Sequence, residues 1–360
     1  MSDTGDALSG QTAHAPEPFQ FTGTGAEYFG IWIVNLLLTI LTVGIYSAWA
    51  KVRRMQYFCR HTEVAGSGFD FHGNPLRILV GRIIAVILLF AYQVSVRLHS
   101  PLTLVVIALL AVVLPWLLRS ALRFRLHNLS WRGTRFRFAG SLGGAYRVFL
   151  LNFFLAGITL YLLAPFTHQR LKAYQHGNSW FGQTPFTFHA RAGQFYLRYL
   201  LIVAAIAGAV ALVIVSGIGA EFIALSRAGK SGAPQDPRVA FRVIGMLYAV
   251  IILLSVSIGP VFRALMTNLI WNNTRLGEHR IECALSPWML IWLTLSNMVA
   301  VIVSLGLLTP WAHVRWMKYE MSCIRLLPAS DLGEFQAAAP EDVGAVGEEV
   351  ASVFDFDIAL

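Results

Sequence analysis

The sequence predicts an all-α polytopic membrane protein, built from internal repeats of apolar helices joined by short aromatic β-hairpin-like connections. Three observations predict this class: scarce charge, long apolar runs and an internal repeat. Of 360 residues, 56% are hydrophobic and only 13% charged, and the mean hydropathy is +0.60. An ordinary soluble domain carries roughly a quarter charged residues. The apolar runs are Tyr28–Ala50, Leu76–Leu98, Leu102–Leu122, Ala145–Phe166, Phe195–Ser216, Val239–Arg263 and Pro287–Ala312. Each has about the twenty residues needed to cross hydrocarbon.

Short polar stretches separate these runs. In them Phe69-Asp-Phe71, Phe136-Arg-Phe138 and Phe186-Thr-Phe188 alternate as strands or hairpin arms do. A membrane domain is expected over residues 19–327, with repeats at about 19–125, 126–265 and 266–327. It is flanked by a disordered N-terminal tail, residues 1–18, and an acidic disordered tail, residues 328–360. Met1–Pro18 has neither Lys or Arg nor an apolar core, so the first apolar run is expected to direct insertion.

Charge is segregated. All 28 Lys and Arg lie between Lys51 and Arg325, together with only seven of the 19 acids. The basic residues sit at the ends of apolar runs, where anionic headgroups are the natural partner. Membrane lipids are therefore the expected partner. No nucleic acid is expected, because no soluble basic face with reading motifs is present. Cys59, Cys283 and Cys323 have no metal-ligand spacing. No nucleophile elbow, phosphate loop or paired carboxylates appear either, so neither an enzyme nor a cofactor is expected.

A shift of 117 residues superposes Phe19 on Phe136, Asn35 on Asn152, Arg53 on Arg170, Tyr57 on Tyr174 and His72 on His189. A shift of 262 superposes Asn35 on Asn297, Trp49 on Trp311, Arg53 on Arg315 and Tyr57 on Tyr319. These matches fall on punctuating and polar residues, which generic hydrophobicity does not produce.

Two sets of candidate residues follow. Trp49, Arg53, Tyr57, Arg170, Tyr174, Trp311, Arg315 and Tyr319 suit a lipid or anion interface, with aromatic rings at headgroup level and guanidinium groups at the phosphates. Asn35, Asn152 and Asn297 place an amide inside apolar helices, a costly choice unless it finds a partner. They read as helix–helix glue or as a polar site near a solute path. Arg82 joins this intramembrane set, a turn and a half deeper than Arg77, and Glu27 is a possible partner for it.

Breaks at Thr42/Gly44, Thr159 and Gly306 favour bent hairpins that dip into the bilayer and return. Parallel repeats then put nearly every Lys and Arg inside, with a cytoplasmic C-terminus. Single crossings would instead invert successive repeats and put equivalent basic residues on opposite sides.

The strand Phe19-Gln-Phe21-Thr-Gly23, the segment from Asn35 to Arg53, and Phe69-Asp-Phe71-His-Gly73 resemble the YjgN family of bacterial inner-membrane proteins. The likeness covers about residues 19–327, and the second copy departs from it, with Pro165-Phe166 in place of Ala-Trp. The resemblance implies a multi-pass protein of the bacterial cytoplasmic membrane and no particular activity. It also hints at a membrane-linked metallopeptidase as protein partner. Two functions are expected to compete. One is a transporter or channel-like protein for a small anionic or lipidic solute. The other is a non-transport scaffold or adaptor whose basic, aromatic cytoplasmic face binds lipid or a membrane-associated protein.

Overall fold

A computed structural model describes residues 15–98, 102–215, 217–231, 237–330 and 332. Most of both expected tails lies outside the described residues. Strand pairs and helix pairs alternate along the chain. β1 (Glu17–Pro18) and β2 (Gln20–Phe21) precede α1 (Gly25–Leu41) and α2 (Ser47–Arg60). β3 (Thr62–Val64) and β4 (Ser67–Phe71) precede α3 (Pro75–Arg97) and α4 (Leu102–His127). β5 (Leu129–Trp131) and β6 (Thr134–Phe138) lead into α5 (Leu142–Ala145), a π-helical stretch over Tyr146–Leu151, α6 (Asn152–Ile158) and α7 (Ala164–Gly177). β7 (Ser179–Phe181) and β8 (Thr184–Phe188) precede α8 (Ala192–Val215), α9 (Ile218–Ser231) and α10 (Pro237–Asn272). β9 (Thr274–Leu276) and β10 (His279–Cys283) precede α11 (Pro287–Val303), α12 (Thr309–Ser322) and β11 (Ile324–Leu327).

The all-α expectation is corrected here. The aromatic connections are not isolated hairpins beside the membrane but eleven strands of one antiparallel sheet. The two end strands of that sheet, β1 and β2, are halves of one segment separated only by Phe19. β1 pairs with β11 and β2 with β3, so the segment joins both ends and closes the sheet on itself. Closure removes the free edges that an open sheet would expose.

Five similar modules build the ring. In each, one residue separates the last helix from the short strand: His61, Asn128, Asn178, Asn273 or Cys323. The carbonyl of that residue accepts a backbone hydrogen bond from Thr22, His72, Ala139, His189 or Ala284 respectively, at 2.8–3.0 Å. Two-residue turns join the strands of the four complete hairpins. Ala65-Gly66 and Arg132-Gly133 have φ above zero at both positions, the twist-matched type I′ pattern.

Alternation along the strands sets the two faces of the ring. In β10, His279, Ile281 and Cys283 are buried while Arg280 and Glu282 are exposed. The inward residues form an aromatic layer, with Phe19–Phe69, Phe69–Phe136 and Phe136–Phe186 ring centroids each 6.3 Å apart. Trp131 and Phe181 fill between them, 5.6 Å from each other. The following glycine is dictated by the same rings, since a Cβ at Gly23 would lie 2.7 Å from both Phe21 Cε1 and the Tyr57 hydroxyl. A transmembrane barrel turns its apolar residues outward. This sheet is apolar inside and charged outside, so its wall belongs in water.

The chain divides into two compact units. One holds Met1–Ala190, Ile270–Ala284 and Leu308–Leu360, and includes the whole sheet. The other holds Arg191–Leu269 and Leu285–Leu307. Within the second, Tyr199 packs edge-on against Phe262 at 5.1 Å, and Asn268 clasps the Leu285 backbone through both N–H and carbonyl.

Four helices are long and apolar enough to cross a membrane: Pro75–Arg97, Leu102–His127, Ala192–Val215 and Phe241–Asn272. The apolar arms of the other three pairs, Gly25–Leu41, Leu142–Ile158 and Pro287–Val303, have 17 residues each. Every pair leaves from a strand of the one sheet and returns to another.

Candidate membrane-interface site

The three short helix pairs share one bend. Thr42, Thr159 and Ser304 end the first helix, and five residues later the return helix is under way. At each bend two hydrogen bonds close a Schellman motif. Gly44 N–H donates to Thr39 O at 2.8 Å, and Val43 N–H to Ile40 O at 3.1 Å. Tyr161 to Ala156 with Leu160 to Gly157, and Gly306 to Val301 with Leu305 to Ile302, repeat the pattern. The Thr42 hydroxyl donates to Leu38 O at 2.7 Å and accepts from Tyr46 N–H at 2.9 Å, so one side chain caps both arms. Thr159 does the same toward Leu155 and Leu163. Backbone groups satisfied internally are the condition for entering hydrocarbon.

The position that favours glycine in this motif holds Val43, Leu160 and Leu305, with φ of 50°, 49° and 50°. Left-handed backbone costs an L-residue about 1–2 kcal/mol. These side chains are nonetheless 92%, 85% and 94% exposed. A strained, exposed, apolar residue at three equivalent tips makes sense where the tip meets lipid rather than water. Sequence reasoning located the breaks but not these three residues. Their signal was a helix stop lacking glycine at its left-handed position.

The expected interface residues divide. Arg53 lies exposed over the Tyr46 ring at 6.0 Å, and Tyr46 stacks on Trp49 at 6.1 Å. Arg170 lies exposed over Phe166 at 5.1 Å, so Phe166 takes the aromatic role at the departing second copy. Arg315 is exposed at the equivalent place on α12. Trp311 reaches Phe29 on α1, with ring centroids 5.1 Å apart. Tyr57 and Tyr174 instead point toward the sheet and are buried. The Tyr57 hydroxyl donates to Thr24 O at 2.8 Å and the Tyr174 hydroxyl to Ser141 O at 2.9 Å. Burial pushes both phenols up to about 12. Tyr319 is half-buried.

The intramembrane set is spread over four helices. Asn35, Asn152 and Asn297 sit at one position of three separate helices, α1, α6 and α11. Asn35 and Asn152 are buried and Asn297 half-buried. Asn35 Oδ1 has no hydrogen-bond partner among the described residues. Arg82 donates from Nη1 to Ser47 Oγ, and Ser47 Oγ donates to Gly44 O, so Arg82 ties α3 to the first bend. Glu27 lies elsewhere, closing a capping box with Thr24.

That tether measures depth. Arg82 is seven residues beyond Pro75, about 10 Å along the helix. α3 then continues for the 15 residues to Arg97, about 22 Å more. The first bend thus lies about a third of the way along α3 from its sheet end. Beyond Asn35, the outward side chains of α1 are apolar and exposed: Leu36, Leu37, Ile40 and Leu41. Among the described residues, no group of three or more His, Cys, Asp or Glu is placed to hold a metal ion.

Four membrane-length helices and three apolar bends, on a chain that also folds a closed antiparallel sheet, define the class of multi-pass membrane proteins. The chain belongs to the DUF898 family of bacterial proteins of unknown function, whose model matches residues 16–353. It is 36% identical over 138 residues to inner membrane protein YjgN of Escherichia coli O157:H7 and, likewise, to that of strain K12. Those matches cover 38% of this chain and 34% of each relative. YjgN of Salmonella typhimurium strain LT2 is 28% identical over 147 residues, covering 40% of this chain and 36% of the relative. The matched stretch thus spans about a third of these relatives' length, and it places the chain among bacterial inner membrane proteins. No solved structure matches it.

Proposed function

We propose that the protein is a non-transport scaffold of the inner membrane, clamped to the cytoplasmic leaflet by anionic lipid. The observation that carries this reading is the repeated bend. Each apolar tip is followed, about six residues into the return helix, by an exposed arginine: Arg53, Arg170 or Arg315. Six residues of helix rise about 9 Å. Tips seated 5–10 Å into the headgroup–acyl boundary are typical of interfacial helices, and they put the three guanidinium groups at phosphate level. Each such contact contributes about 1 kcal/mol on an anionic surface. The return of all five helix pairs to one sheet supports a single membrane face for the sheet, and the positive-inside rule makes that face cytoplasmic.

The test is lipid-dependent stability of the full chain in detergent, measured with added phosphatidylglycerol or phosphatidylcholine. Phosphatidylglycerol should raise the Tm more, and R53Q/R170Q/R315Q should abolish the difference. An equal response of variant and parent would defeat the reading. Transport of a small anionic or lipidic solute has one observation in its favour, the unpartnered Asn35 Oδ1. It ranks second because the inside of the sheet is filled by its aromatic layer. An uptake profile changed by Asn35→Leu in folded protein would reverse this order.

A further inference from the structure

The outer wall of the sheet carries a cationic patch that the lipid clamp does not use. Arg275 of β9 and Arg280 of β10 are direct cross-strand partners, and both are exposed. Arg325 of β11 is exposed on the next strand, opposite Glu282. Like charges placed directly opposite each other weaken a strand pair. Among the described residues none of the three arginines makes a hydrogen bond or ion pair with another side chain. Elsewhere on the wall the basic residues are engaged: Arg132 bonds Ala65 O at 2.7 Å, Arg135 bonds His127 Nε2 at 3.1 Å, and Arg137 covers Trp180.

The chain itself carries an acidic segment within reach of this patch. After β11 it turns back over β10, where Ala329 N–H donates to His279 Nδ1 at 3.1 Å, and Leu332 is buried. His279 immediately precedes Arg280, its side chain on the inner face of the sheet and that of Arg280 on the outer. From there the sequence contains Asp331, Glu334, Glu341, Asp342, Glu348, Glu349, Asp355 and Asp357, and no Lys or Arg. At about 3.3 Å per extended residue, the 13 residues from Ala329 to Asp342 reach more than 40 Å. Three strands spaced about 4.8 Å apart span only about 10 Å. Reach and charge therefore agree.

We infer that the acidic segment 331–357 docks on the Arg275–Arg280–Arg325 wall as an intramolecular latch. It neutralises the opposed arginines and screens that wall from other anionic partners. The attraction is between exposed charges, so it weakens with salt. The proposal is independent of the lipid clamp, which uses other arginines on helices.

The test is the mobility of the segment in the full chain. Cys59, Cys283 and Cys323 are replaced by Ala, Val and Ala, Ala351→Cys carries a fluorophore, and anisotropy is followed from low salt to about 1 M, where the Debye length is about 3 Å. The parent should show high anisotropy that is lost with salt. R275Q/R280Q/R325Q should show the low value at every salt concentration, as should E341Q/D342N/E348Q/E349Q, which leaves the sheet untouched. A freely mobile label in the parent at low salt overturns the latch. High anisotropy that survives either set of substitutions overturns its address, leaving lipid or another surface as the occupant.

Discussion

Replacing the three tip residues by asparagine separates a bend in lipid from a bend in water by the sign of its effect. Val43, Leu160 and Leu305 hold left-handed φ values near 50°, each costing about 1–2 kcal/mol. Asparagine adopts this backbone readily, so a solvated tip would gain about 1 kcal/mol from each substitution. The side chains are almost fully exposed within the protein, and no protein packing would be lost. A tip in hydrocarbon loses instead about 1.5–3 kcal/mol of apolar transfer and takes an amide out of water at a cost of about 1–3 kcal/mol. After the strain relief, the net loss is about 1.5–5 kcal/mol per tip. The assay is thermal unfolding of V43N/L160N/L305N in lipid nanodiscs, followed by tryptophan fluorescence. A lower Tm than the parent is expected. A higher one would refute the insertion of these bends.

Three further outcomes follow from the packing. A Cβ at Gly25 would overlap Trp311 Cδ1, so Gly25→Ala should destabilise by about 1–3 kcal/mol, and combining it with Trp311→Leu should cost less than the sum of the single changes. Phe181→Ala empties a fully buried place in the aromatic layer and should cost about 3–5 kcal/mol by chemical denaturation. Burial, reinforced by Lys172, pushes His176 down to about 3, so only the unfolded chain takes up its proton below the usual histidine range. Its contribution to stability is thus fully present above pH 6.5 and shrinks as the pH falls toward 3, by about 2 kcal/mol at pH 5. His176→Met, the residue at the equivalent Met321, should flatten that acid limb of the stability profile.

Much of the helical plan was legible from residue types alone. The 117- and 262-residue shifts align α1 with Leu142–Ile158 and with α11 end to end, because the equivalent arms contain no insertion. The bends were legible at Thr42/Gly44 and Gly306 because a Thr or Gly there interrupts an apolar run. The sheet was not. Its short strands, such as Thr62–Val64, have three residues, too few for a period-two signal. Their partners also lie far away in sequence, Phe69 opposite Trp131 and Phe186 opposite Leu276. The fifth module was masked because Ile281-Glu-Cys283 stands where the others have Phe-x-Phe. Closure was hidden too, since it depends on Glu17–Phe21 serving two neighbours with its two halves. In the candidate site, equivalence by sequence grouped Tyr57 and Tyr174 with Arg53 and Arg170. The extra four residues carry the tyrosines one further turn, to the sheet end of the helix, where their hydroxyls donate to Thr24 O and Ser141 O at the start of the preceding arm.

The central claim is that one closed sheet lies on one side of the membrane, with every helix pair leaving it and returning. Single cysteines at Ala65, Arg132, Gln183 and Glu278, one in each hairpin turn, in a cysteine-free background, test it most directly. In intact spheroplasts none should react with a membrane-impermeant maleimide, and all four should react after permeabilisation. Labelling of Gln183 from outside while Ala65 stays protected would contradict the claim, because equivalent turns would then lie on opposite faces of the membrane.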